Sequence, residues 1–289
     1  MTLHMKMKAR HLWLVLLLAV VTSAGAKGKK EITILHTNDS HSCICPLSEN
    51  LADTMLADRG GYLRRINMIK IEREKDPKLL LLDSGDFSQG SPFYTIYKGD
   101  VEVGLMNMMG YDACTIGNHE FDFGLENMAR LFRMCNFPIV CANYDFTGTP
   151  VEGLVKPYTI IKRDGVKIGI FGISPQLEGL VAADNYEGVK YLDPVKTAEK
   201  MADLLRNEKK CDVVICLSHM GWGIGDGNGI DDDQSVIKAT RGIDLVLGGH
   251  SHTYFKNLKY VNDLDGKAVP VDQNGKHAIF VGKLKLKLQ

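Results

Sequence analysis

Five times along this chain a stretch of strand-like residues, in four cases a clear run, gives way to a small group of Asp, Asn and His. The groups are Asp39-Ser40-His41, Gly85-Asp86, Gly117-Asn118-His119-Glu120 with Asp122, His219, and Gly248-Gly249-His250-Ser251-His252. Residues 31–36 alternate before the first group, while residues 79–82, 213–217 and 243–247 are short and almost continuously apolar. Strands that are apolar on both faces belong to sheets covered on both sides. Side chains leaving such a sheet collect beyond the carboxyl ends of its strands. The expected fold class is therefore α/β, with central mixed sheets flanked by helices and the five polar groups gathered around one crevice.

The donor types suit hard or borderline divalent ions. Carboxylate, imidazole and amide oxygen bind zinc, manganese, iron or cobalt, and no cysteine pair has zinc-finger spacing. In an extended segment Asp39 and His41 point to the same side, so one ion takes both. His250 and His252 share that spacing but follow Gly248-Gly249, whose backbone freedom allows the two imidazoles to serve different ions. Asp86 suits a bridge, since each oxygen of a carboxylate can hold one ion. Taken singly, each residue has a plainer reading as a hydrogen-bonded strand end or a turn cap. Five of the nine histidines fall in these groups, and that coincidence overrides the plainer reading. His36 lies inside its strand and reads as core or as support behind the site; His277, among polar residues, reads as exposed.

Thr37-Asn38-Asp39-Ser40-His41, Asp83-Ser84-Gly85-Asp86 with Gln89-Gly90, the segment from Gly117 to Asp122, Ser218-His219 and Gly248 to His252 resemble the motifs of the calcineurin-like metallophosphoesterases. More closely, they resemble the catalytic domain of the secreted 5′-nucleotidases and UDP-sugar hydrolases, in the family's motif order from about residue 31 to 284. The resemblance implies a metallophosphoesterase-type α/β sandwich and hydrolysis of a small phosphate ester. It also implies two divalent ions, which the residues do not distinguish among zinc, manganese, iron and cobalt. Asp39, His41, Asp86 and His252 would hold one ion, and Asp86, Asn118, His219 and His250 the other. His119 would then meet charge on the phosphoryl group or protonate the leaving oxygen, with Asp122 orienting it. Paired cations and an imidazolium suit a reaction that spreads negative charge over phosphoryl oxygens. A covalent route lacks its signs, for there is no Gly-x-Ser-x-Gly elbow and no cysteine adjoins a motif histidine. The same donors also serve a phosphodiesterase on cyclic nucleotides or nucleotide sugars, or a thiosulfonate hydrolase of the superfamily. A non-catalytic metal-binding protein would keep the ligands without needing His119.

Lys+Arg and Asp+Glu both number 35, so neither nucleic acid nor an anionic membrane is expected as the main partner. No repeat or long linker divides the chain, and residues 27–289 are expected to form one catalytic domain. Lys6, Lys8 and Arg10, the apolar run 12–21 and Thr22-Ser23-Ala24-Gly25-Ala26 have the three parts of a secretory signal. Residues 1–26 are therefore expected to be removed on export to the periplasm or the exterior, the run being too short for a stable membrane span. Seven cysteines in an exported chain are expected to pair in part, with Cys114 and Cys216 as buried thiols.

Helices are expected over residues 61–74 with Leu63, Ile66 and Ile69 inward, through Leu125, Met128, Leu131, Phe132 and Cys135, and from Asp193-Pro194. The glycine-rich stretch 221–229 lacks dinucleotide-binding spacing, and Ile230 stands where a calcium loop needs oxygen, so it reads as a rim near the ions. Full-length 5′-nucleotidases of the family carry a second domain whose aromatic side chains sandwich the base, and the resemblance covers only the catalytic half, so this chain is expected to lack the base-binding one. The resemblance thus implies either a module acting on several small phosphate esters or one completed by a separate nucleotide-binding polypeptide.

Overall fold

The computed structural model describes residues 30–225 and 231–288. The expected signal, residues 1–26, and residues 226–230 of the glycine-rich stretch lie outside the described residues. The strands in chain order are β1 (Lys30–Thr37), β2 (Leu80–Asp83), β3 (Ala113–Cys114), β4 (Ile139–Val140), β5 (Tyr144–Asp145), β6 (Val155–Lys156), β7 (Tyr158–Arg163), β8 (Val166–Ile173), β9 (Lys190–Tyr191), β10 (Val213–Ser218), β11 (Leu245–Leu247), β12 (Lys259–Asn262), β13 (Ala268–Asp272) and β14 (Gly282–Leu288). They build two six-stranded sheets, ordered β14-β1-β2-β3-β4-β6 and β12-β13-β11-β10-β8-β7, with β5 and β9 as a separate pair. The strands β1, β2, β3, β4 and β6 run parallel in the first sheet, as do β8, β10, β11 and β13 in the second. Antiparallel partners close three edges: β14 on β1, β7 on β8 and β12 on β13.

Alternation within each strand explains why the strands read as unbroken apolar runs. Ile32, Ile34, Leu80 and Leu82 meet Ile168, Ile170, Val213, Ile215 and Leu217 between the sheets. Their neighbours Leu35, Leu79 and Leu81 turn the other way and pack with side chains of the helices α1 (Tyr62–Lys75), α3 (Asp100–Met109) and α4 (Gly124–Met134). Between α1 and α3 lies the short α2 (Pro92–Tyr97). Val214 and Cys216 face α5 (Pro194–Asp203) and α6 (Asp233–Lys238) across the second sheet. The result is an α/β/β/α sandwich, in which every central strand is covered on both faces.

Two expectations are corrected here. Leu63 is 64% exposed; Tyr62, Arg65 and Ile69 take the inward face of α1 instead. Arg65 is buried because its guanidinium donates to Ser40 Oγ at 2.6 Å and lies 5.5 Å from the centre of the Tyr62 ring, behind the first polar group. All seven cysteines are free thiols, with Cys114 and Cys216 buried as expected. The other two helices largely agree with their sequence: α4 buries Leu125, Met128, Leu131 and Phe132 but stops at Met134, with Cys135 already extended, and Asp193 caps α5 by accepting from the Lys196 N–H at 3.0 Å. Among the described residues no helix is long and apolar enough to cross a membrane.

Candidate metal centre

Parallel strands deliver the polar groups at their carboxyl ends. Asp39 and His41 follow β1, Asp86 follows β2 and Asn118 follows β3; from the second sheet, His219 follows β10, and His250 and His252 follow β11. Asp39, His41, Asp86 and His252 offer donor atoms within 4.8 Å of one another, and Asp86, His219 and His250 form a second such group. Asp86 belongs to both. His41 Nε2 stands 2.9 Å from His252 Nε2, 3.8 Å from Asp39 Oδ1 and 3.9 Å from Asp86 Oδ2. In the second group His219 Nε2 is 3.1 Å from Asp86 Oδ2, and the His219 and His250 rings are 5.1 Å apart. The Nδ1 of His219 is held at 2.6 Å by the Ser84 carbonyl, which leaves Nε2 to the crevice, the tautomer a ligand needs. Asn118 Oδ1 is buried with no hydrogen-bond partner, and both neighbours of Asn118 touch Asp86. An orphaned acceptor in that position fits a cation.

Charge tells the same story. Burial drives His41 down to about 3 and His250 and His252 to about 4, so three imidazoles are neutral donors. Burial opposes the charge on His219 too, yet Asp86 and Asp39 lift it to about 10. Burial pushes Asp39 up to about 7, whereas Asp86, despite its burial, is held below the usual carboxylate range by His219 and His41. Two buried carboxylates thus hold a proton on His219 as their compensating positive charge.

The local backbone differs from the extended segment expected at Asp39-x-His41. Asp39 (φ 45°), His41 (φ 44°) and Ser42 (φ 49°) are left-handed, so the two side chains converge through a tight turn rather than a pleat. Asp86 (φ 54°), His250 (φ 70°) and His252 (φ 55°) are left-handed as well, and the last two send their imidazoles to different groups, as the Gly-Gly turn suggested. Close approach explains two glycines. A Cβ on Gly249 would lie 2.9 Å from His219 Nδ1 and 3.0 Å from the Ser84 carbonyl, and one on Gly117 would collide with Asp86 Oδ1.

His119 and Asp122 stand beside this cluster on a short 3₁₀ turn, with His119 Nδ1 3.0 Å from Asp122 Oδ2 and the His119 and His41 rings 5.4 Å apart. Burial opposes protonation of His119, but Asp122 and Asp86 raise its pKa above the ordinary value. Sequence reasoning gave no role to Glu120. Its buried carboxylate accepts from the backbone N–H groups of Asp86 (2.9 Å), Ser88 (3.1 Å) and Gly117 (2.6 Å), clamping two ligand-bearing loops together. The signal available was an acid set between two polar site residues, with no exposed face to occupy. His277 is corrected: it is half-buried, its backbone N–H donates to the Asp39 carbonyl at 2.8 Å, and its ring lies 5.8 Å from that of His41. His36 is support, fully buried with Nε2 3.0 Å from Asp272 Oδ2.

Known proteins share the sequence pattern and the fold. The family model described as calcineurin-like phosphoesterase matches residues 32–254. A 5′-nucleotidase of Rattus norvegicus is 32% identical over 95% of this chain and 49% of its own length, so the chain spans about half of that relative. Among solved structures, a 5′-nucleotidase precursor from Thermus thermophilus is 28% identical, with a TM-score of 0.78 over 90% of this chain and 52% of that one. The calcineurin-like phosphoesterase YfkN from Bacillus subtilis, also 28% identical, gives a TM-score of 0.74 over 90% of this chain and 86% of that one.

Proposed function

The chain belongs to the calcineurin-like phosphoesterases, and within that family we propose that it is a two-metal phosphomonoesterase of the 5′-nucleotidase kind, acting on nucleotides or related small phosphate esters. The observation that carries this reading is Asp86 shared between two donor groups, with the orphaned Asn118 Oδ1 beside it. Asp39, His41, Asp86 and His252 would hold the first ion, and Asp86, Asn118, His219 and His250 the second. When bound, divalent ions would supply positive charge for the phosphoryl oxygens and a more acidic water at neutral pH. Asp122 engages His119 Nδ1, leaving Nε2 as the atom that holds a proton for the phosphoryl or leaving oxygen. Glu120 keeps the Asp86 and Gly117 loops in register, so the bridge does not shift as charge develops.

Residues 27–289 act as one catalytic domain, either working on several small phosphate esters or completed by a separate nucleotide-binding polypeptide. The mature protein works outside the cytoplasm and begins at Lys27, which amino-terminal sequencing of exported material checks.

Phosphate release tests the central reading. The chelated protein, resupplied with each metal in turn, should release phosphate from AMP and from glycerol phosphate faster than it opens a 2′,3′-cyclic nucleotide or cleaves a UDP-sugar. Preferential cleavage of either diester would replace the phosphomonoesterase with a phosphodiesterase. His119→Ala should lose turnover while both ions are retained; unchanged turnover would remove the catalytic assignment.

A further inference from the structure

At the start of α1 the surface holds a cavity of about 380 Å³, bordered by the loop before the helix and by segment 278–281. That is the size of a small-molecule site. None of the proposed metal ligands lines it. Arg59, Arg64 and Arg65 do, against one acid, Asp58, so a chain that is neutral as a whole is positive here. Arg64 donates to Asp58 Oδ1 at 2.9 Å, while Arg59 has no ion pair among the described residues.

This charge is the reverse of what a helix start favours. Peptide dipoles leave the N-terminal end of a helix partly positive, which suits acids and repels cations. In α1, 14 residues long, the first turn holds no acid and runs into Arg64 and Arg65, and Gly61 brings no side-chain cap. The Tyr62 N–H is taken by the carbonyls of Cys43 (3.2 Å) and Ile44 (3.1 Å), whereas those of Leu63 and Arg64 have no partner among the described residues. Such a helix start is short of an anion.

Arg65 points to the same deficit independently. It is 4% exposed, yet among the described residues its guanidinium makes one hydrogen bond, to Ser40 Oγ at 2.6 Å, and its Nε is buried with no partner. No carboxylate of the described residues pairs with it: Asp83 feels its charge from farther off and already accepts from the Thr37 hydroxyl and the Gly85 N–H. A buried cation with an idle donor is costly unless an anion joins it. We propose that the cavity binds a small oxyanion of the phosphate class, free or carried on an organic group, at a site separate from the metal centre. Arg59 and Arg65 supply charge and donors, the start of α1 adds its dipole, and Phe280 on the facing wall offers an organic group apolar surface. Because Arg65 also holds Ser40, between Asp39 and His41, the anion sits one side chain away from a ligand-bearing loop.

The full chain is chelated first, so the outcome is independent of the hydrolase reading. Inorganic phosphate and phenyl phosphate are each titrated into it and followed by calorimetry and phosphorus NMR. Phosphate should bind to wild type. Arg59→Glu, at an exposed position, and Arg65→Met should each weaken that binding by about tenfold or more. Lys200→Glu, the same reversal of charge on α5, should leave it unchanged. Tighter binding of phenyl phosphate assigns the site to an organic phosphate, and equal or weaker binding assigns it to the free anion. No binding of either compound, binding indifferent to Arg59→Glu, or an equal loss in Lys200→Glu overturns the assignment.

Discussion

At the residue scale, the centre is assembled by side chains that pull against ordinary backbone preference. Five of the seven proposed ligands, Asp39, His41, Asp86, His250 and His252, have left-handed φ values, each a cost of about 1 kcal/mol or more. Hydrogen bonds from neighbouring loops hold them there, and Glu120 is the clearest case. In Glu120→Gln the amide has one acceptor oxygen for three N–H groups, and its own NH₂ faces a donor. Metal affinity measured by calorimetric titration should fall by about 10- to 100-fold; unchanged affinity would reduce Glu120 to a packing residue.

Titration makes a second residue-scale prediction, for the chelated protein. His219 is raised to about 10 from 6.5, so its stabilising contribution is complete below pH 6.5 and is lost as pH rises towards about 10. Asp39, raised to about 7 from 3.8, works in the same direction over a lower range. His41, His250 and His252 are lowered and oppose this, but their contribution is complete by pH 6.5. Asp233, raised to about 8, and Glu120, raised to about 7, lower stability over part of this range in both forms. Between pH 6.5 and about 8.5 the Tm of the chelated form should therefore fall more steeply than that of the metal-loaded form, the ions having replaced the His219 proton. Parallel Tm curves for the two forms would contradict it.

At the element scale, the long strands and amphipathic helices were legible because burial on both sheet faces leaves unbroken apolar runs. Residues 79–82 and 213–217 are examples, each alternating between the sheet-to-sheet core and the helix layer. Two-residue strands such as β3 and β4 were not, since so few residues carry no period. The inward stripe of α1 departs from its apolar pattern for a related reason. A polar residue, Arg65, takes an inward position because Ser40 and the Tyr62 ring receive it, so hydrophobicity alone named Leu63. Leu63→Lys should change stability by no more than about 0.5 kcal/mol, whereas Met128→Ala, at a fully buried position of α4, should cost about 2–5 kcal/mol. Urea unfolding of the full chain distinguishes them, and equal losses would restore Leu63 to the core.

At the scale of the whole molecule, the centre joins the two sheets. Asp39, His41, Asp86 and Asn118 come from the first, and His219, His250 and His252 from the second. The grouping of these residues was visible in the sequence because four strand-length runs end in ligand-type side chains and the segment Gly117 to Asp122 carries the same types. The left-handed turns, the Glu120 clamp and the approach of His277 were not, because they depend on loops from distant parts of the chain meeting across the crevice. Ions bound between the sheets should also stabilise the fold by mass action, since the unfolded chain holds no such arrangement. The most direct measurement is elemental analysis of active protein, coupled to its rate before and after chelation. The account predicts two divalent ions per chain and activity that disappears on chelation and returns with metal; protein free of divalent ions that hydrolyses phosphate esters at an undiminished rate would contradict it.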